Sequence, residues 1–148
     1  VVIIDTWYHF LHMSEKTIFS KIIDREIPGH FVHEDDVCVV IMDVFPSVPG
    51  QVLVIPKEPI DYMFDLPDAV YEHILKVTKQ VVKALDVTFT TSRTCVVVEG
   101  FEVPHAHVKL YPLAADETAL TNVIMHTAPA EQDDLERQCE QIKKILTS

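Results

Sequence analysis

Apolar residues recur along this chain in two different periods. Phe19, Ile22, Ile23 and Ile27 fall at helical spacing before Pro28-Gly29 stops them, which predicts a short amphipathic helix over residues 17–27. Two β-branched runs follow at 37–44 and 52–55, separated by Pro46, Pro49 and Gly50, and read as strands joined by a rigid turn. Residues 31–34 form a candidate third strand. After the start signals Asp65, Pro67 and Asp68, the positions Val70, Ile74, Val77, Val81 and Leu85 step by three and four, the strongest helix pattern in the chain. The runs 94–98 and 103–111, punctuated by Glu99-Gly100, read as two antiparallel strands. Beyond Pro129, Leu135, Cys139, Ile142 and Leu146 mark a C-terminal helix over 130–146.

The order α-βββ-α-ββ-α groups strands between helices instead of alternating them one by one. It predicts an α+β fold with an antiparallel sheet, not a parallel βαβ sheet. At 148 residues one core suffices, and 48% hydrophobic with 24% charged residues is an ordinary globular balance. Residues 17–148 are taken as a single domain. Val1 to Leu11 is apolar but lacks a basic leader and is too short to span a membrane. Met13-Ser14-Glu15-Lys16 resembles a start, so residues 1–16 are set apart as an N-terminal extension, with the native status of the stretch before Met13 left open.

A formal charge of −11 repels polyanions, which argues against tracking along DNA or RNA and leaves any phosphate to be met locally in a small-ligand pocket. Three widely spaced cysteines, Cys38, Cys95 and Cys139, read as buried free thiols in a reducing, cytoplasmic setting. No membrane contact is expected.

Of eight histidines, only His105 and His107 sit in a pattern, Val103-Pro104-His105-Ala106-His107-Val108-Lys109. On a strand His105, His107 and Lys109 share one face while Ala106, Val108 and Leu110 take the other. An isolated H-x-H is compatible with half-exposed surface residues, with a metal site, or with phosphate chemistry. A third metal ligand is not evident nearby and Lys109 would repel a cation, so no metal and no cofactor is expected there.

The surroundings extend the pattern. Thr17-Ile18-Phe19-Ser20-Lys21-Ile22-Ile23, Glu26-Ile27-Pro28, Glu34-Asp35-Asp36, Met42-Asp43-Val44, and Pro49-Gly50-Gln51-Val52-Leu53-Val54-Ile55-Pro56-Lys57 stand in order ahead of the histidines. Together with them they resemble the histidine triad (HIT) superfamily, whose signature is His-x-His-x-His followed by two apolar residues. The resemblance covers residues 17–112. It implies an antiparallel sheet of about five strands with helices packed on it, a homodimer, and a purine nucleotide or nucleotide conjugate as ligand. It also implies hydrolysis or transfer of a nucleotidyl group from phosphoramidates or dinucleoside polyphosphates.

Carried over by position, the resemblance makes His107 the nucleophile, with His105 supporting the strand. Phe19, Ile22, Ile41 and Met42 become an apolar base slot and Asp43 the acceptor for the ribose hydroxyls; plain core packing for Ile22 and Ile41, and a turn cap for Asp43, are the alternatives. Lys109 stands where the family's third histidine would be. Lysine keeps its charge at pH 7 and can stabilise a leaving group, but as a point charge on a flexible stem. Gln51 and Pro59 replace two further histidines, Val98 replaces an asparagine, and Glu102 lies on the phosphate side, where its charge would repel. Two functions therefore remain open: a working nucleotidyl hydrolase or transferase, and a nucleotide-binding or interaction protein with weak or no turnover.

Overall fold

Cys38–Met42 and Val52–Pro56 are buried at every position instead of at alternate ones, which requires cover on both faces of the sheet they join. The computed structural model, which describes residues 16–124 and 128–148, shows that cover. In chain order the elements are helix α1 (Ile18–Ile23), strands β1 (Phe31–Glu34), β2 (Cys38–Met42) and β3 (Val52–Pro56), helix α2 (Asp68–Phe89), strands β4 (Arg93–Glu99) and β5 (His107–Leu113), and helix α3 (Gln132–Leu146). The expected α+β class is observed: a five-stranded antiparallel sheet, ordered β1-β2-β3-β5-β4, with helices packed on it and one at the C-terminus. The last strand of the chain thus sits between β3 and β4.

Alternation within the central strands assigns each side chain a face. Val40, Met42, Val52, Val54, Val108 and Leu110 join Ile74, Val77, Val81 and Leu85 of α2 and Leu135 and Ile142 of α3 in the larger core. Val39, Ile41, Leu53 and Ile55 point the other way and are covered by Phe19 of α1. Each such side chain contributes roughly 1.5–3 kcal/mol when fully buried, so the helix-side layer holds the fold while α1 closes the second face. Among the described residues no helix is long and apolar enough to cross a membrane.

Several predicted boundaries differ from the structure, three of them for reasons visible in the backbone. The first helix stops at Ile23 instead of Ile27, because Arg25 adopts φ 63° and the amides of Glu26 and Ile27 both return to the Lys21 carbonyl. Arg25 is held there by its guanidinium, stacked 3.5 Å from the Phe31 ring centroid and ion-paired to Glu34. Helix α2 runs on to Phe89 and ends at Thr90, whose φ of 50° is left-handed. The last strand begins at His107 instead of Val103: the His105 amide donates to the Val103 carbonyl at 2.8 Å, a tight turn around Pro104 that keeps His105 off the strand. The proposed N-terminal extension lies, apart from Lys16, outside the described residues. Cys38, Cys95 and Cys139 are free; Cys95 is only partly buried, because β4 is an edge strand, which corrects the expectation of three buried thiols.

The β2–β3 turn depends on Gly50. Its φ is 80°, and a Cβ there would lie 2.3 Å from Cε2 of Phe89. Its amide donates to Oε1 of Gln138 on α3 at 2.6 Å, so turn and helices fix each other. Gly50→Ala is expected to lower stability by roughly 2–4 kcal/mol, combining left-handed strain with overpacking. In chemical denaturation the Gly50→Ala/Phe89→Ala double variant should lose less than the sum of the two singles, since removing the ring relieves the clash.

Candidate active site

Thr17 is the N-cap of α1, and its hydroxyl has two tasks. Oγ1 accepts the Ser20 amide at 3.1 Å and lies 2.9 Å from Nδ1 of His105. Nε2 of His105 is 2.8 Å from the Pro56 carbonyl, which can only accept, so Nε2 carries the proton and Nδ1 receives the Thr17 hydroxyl hydrogen. His105 is fully buried in this role and bridges α1 to the end of β3.

The same logic fixes the tautomer of His107. Its Nδ1 is 2.8 Å from the His105 carbonyl and must donate, which leaves Nε2 as the lone-pair nitrogen of the neutral ring. The Phe19 ring meets the His107 ring edge-on with centroids 5.0 Å apart. Burial pushes the pKa of both histidines below the ordinary value, and Lys109 adds to that effect at His107. Both rings are neutral at pH 7.

His107 lines a cavity of about 680 Å³ on the α1 side of the sheet. Phe19, Ile22 and Ile41 form its apolar wall, and Asp43, Glu102 and Lys109 its polar one. Met42 borders the space, but its side chain belongs to the helix-side core, because alternation sends it opposite to Ile41. His105 and Val98 do not line the cavity. His105 is fully buried, with both ring nitrogens hydrogen-bonded. Val98 pairs with Val108 on the opposite face of β4 and is 42% exposed there, so the sheet's alternation excludes it from the slot.

Asp43 is fixed on both oxygens. Oδ1 accepts the Phe45 amide at 2.9 Å, and Oδ2 accepts Nε2 of the buried Gln51 at 2.6 Å, while Oε1 of Gln51 accepts the Ser47 amide at 2.7 Å. Gln51 therefore ties Asp43 to the β2–β3 turn. Asp43 caps that turn and also faces the cavity.

Two titratable residues of the cavity lining, Glu99 and Tyr111, are not among the candidates that the sequence pattern singles out. In sequence Glu99 only punctuates two strands; in the structure it sits opposite His107 on β4 and ion-pairs with Lys109. Burial disfavours the Lys109 ammonium, but the Glu99 hydrogen bond and the Tyr111 and Glu102 charges outweigh it and raise the pKa. Tyr111 is two residues beyond Lys109 on the same face, and continuing the period-two row by one step would have found it.

The HIT domain family profile matches residues 24–115. The chain belongs to the HIT domain family. An uncharacterised HIT-like protein of Synechococcus elongatus is 39% identical over 103 residues, 66% of this chain and 90% of that protein. The purine nucleoside phosphoramidase of Escherichia coli K12 is 50% identical over 45 residues, 30% of this chain and 38% of the enzyme. Among solved structures, a HIT-like protein of Bartonella henselae superposes with a TM-score of 0.79 at 26% identity, covering 88% of this chain and 96% of its own. HIT-domain proteins as a family are nucleotide-binding hydrolases or transferases, and this chain shares their fold.

The neutral, buried histidines make stability depend on pH with a definite sign. As pH falls below about 6.5 the unfolded chain takes up protons on these rings before the folded one does, so stability falls on acidification towards the depressed folded values. Urea midpoints should drop between about pH 7.5 and pH 5.5, and His105→Gln, though less stable at both, should show a shallower drop. A parallel drop in wild type and variant would contradict the assignment of this dependence to His105.

Proposed function

We propose that the cavity binds a purine nucleotide and that His107 takes the nucleotidyl group from a phosphoramidate or dinucleoside polyphosphate. The observation that carries this reading is the bond from His107 Nδ1 to the His105 carbonyl, which aligns a neutral ring with Nε2 as its free base. Nε2 attacks the α-phosphorus, the bond to the leaving group breaks, and its electron pair departs with that group. The ring, now bonded to phosphorus, carries positive charge, and its Nδ1–H bond to the carbonyl strengthens as it does. Water then attacks the same phosphorus, loses a proton to solvent and frees the nucleoside monophosphate, restoring His107. Splitting one displacement into two lowers each barrier.

Phe19, Ile22 and Ile41 hold the base, Asp43 accepts from the ribose, and Lys109 stabilises charge at the leaving group. The match to the Escherichia coli phosphoramidase supports the phosphoramidate class. A second reading, a nucleotide binder with little turnover, is favoured by one feature: Glu99 already neutralises Lys109. No cofactor enters either reading. We place the protein in the cytoplasm, consistent with its free thiols.

Incubation with a panel of adenosine and guanosine phosphoramidates and dinucleoside polyphosphates tests the first reading. His107→Ala should abolish turnover and any nucleotidyl-protein adduct while nucleotide affinity changes far less; unchanged turnover would reject the nucleophile. Lys109→Ala should slow turnover by roughly 10–1,000-fold, and Lys109→His should recover part of it with a new pH dependence near the histidine range. Binding without turnover in the wild type would select the second reading.

The proposal includes a homodimer. Strand β4 is a sheet edge, and Val96 and Val98 are exposed on it, a surface that pairing with a second copy would cover. Sedimentation at micromolar concentration should report a dimer, and Val98→Lys should shift it towards monomer. A wild-type monomer would contradict the assembly.

A further inference from the structure

On the opposite face of the sheet from His107, three chemically different donors converge near the tip of the β1–β2 hairpin. Asp35 follows β1, Cys38 opens β2, and His73 lies in the second turn of α2. Their donor atoms all lie within 4.8 Å of one another. Nε2 of His73 is 2.7 Å and Sγ of Cys38 is 3.8 Å from Oδ2 of Asp35. A fourth donor approaches from β1, with Nε2 of His33 at 3.1 Å from the same oxygen.

We propose that Asp35, Cys38 and His73 form a binding site for a zinc-class divalent transition ion, with His33 or water as the fourth ligand. Thiolate, imidazole and carboxylate together suit a borderline ion and do not suit calcium or magnesium, which take oxygen shells. Tetrahedral zinc, with bonds of about 2.0–2.3 Å, sets its ligand atoms roughly 3.5 Å apart, so shifts on the order of 1 Å convert the hydrogen-bonded cluster into a coordination shell.

The carboxylate is held for this task. Oδ1 of Asp35 accepts the amides of Val37 and Cys38, each at 2.8 Å, which leaves Oδ2 facing the other donors. Cys38 is fully buried beneath the partly exposed Asp35 and His73, giving an inner ligand with an approach from solvent. Coordination releases one proton, that of the thiol. The histidine proton moves through solvent from Nε2 to Nδ1. The thiolate and carboxylate then balance the two positive charges of the ion, so the site carries no net charge. Because Asp35 and Cys38 belong to the hairpin and His73 to α2, a bound ion would clamp sheet to helix.

Cobalt(II) titration of the reduced full-length chain tests the site. A stoichiometric thiolate-to-cobalt charge-transfer band in the near ultraviolet is expected, displaced by zinc, together with a zinc-dependent rise in melting temperature. Cys38→Ala, which keeps the core nearly filled, should remove the band. His73→Gln, at a partly exposed position that retains a hydrogen-bonding partner for Asp35, should fold normally and weaken cobalt affinity at least tenfold. Absence of a thiolate band in the wild type, or a full band in Cys38→Ala, overturns the proposal, as does wild-type affinity in His73→Gln. Cys139→Ala, on α3, should leave the band intact; its loss there would assign the ion elsewhere and overturn the site.

Discussion

A carbonyl oxygen cannot donate a hydrogen bond, and that one constraint organises the candidate site. The Pro56 carbonyl compels His105 to carry its proton on Nε2, and the His105 carbonyl compels His107 to carry its own on Nδ1. Thr17, freed to donate, then couples the start of α1 to the same network, and Phe19, two residues on, is brought edge-on to both rings. The Phe19 wall of the cavity and the His107 ring are therefore positioned by one set of hydrogen bonds. The two bonds to carbonyls are buried, so the loss of either partner would leave an unsatisfied polar group at a cost of about 1–3 kcal/mol.

The electrostatics around this neutral pair are mixed. Asp43, Glu99 and Glu102 face a single cation, Lys109, across the cavity, and Lys109 is already paired with Glu99. The cavity lining is therefore net acidic, in the same sense as the chain's overall charge. Gln51 contributes without charge: it holds Asp43 in place by a hydrogen bond to one oxygen and anchors itself on the Ser47 amide.

Much of the fold was legible because the helices and strands follow strict periods. Ile74, Val77, Val81 and Leu85 mark one face of α2, and the β-branched runs between turn residues mark β2 and β3 as strands, which the structure covers on both faces. Boundaries were less legible where one residue adopts an unusual backbone angle, as Arg25 does, since nothing in a helical pattern announces a left-handed turn stabilised by the distant Phe31 and Glu34. The period-two row correctly joined His107 and Lys109 but overextended to His105, because the turn at Pro104 breaks the strand before it. Glu99 escaped notice because its relation to His107 is a matter of cross-strand register, which depends on how β4 and β5 pair.

The insertion of β5 between β3 and β4 bears on how the molecule comes into being. During synthesis, β3 and β4 emerge before the strand that unites them, so the fully apolar inner edge of β3 stays unpaired until residue 113 has left the ribosome. The same strand carries His107 and Lys109 into the cavity wall. Protection of the exposed edge of β3 and completion of the cavity wall therefore arrive together, in a single docking event.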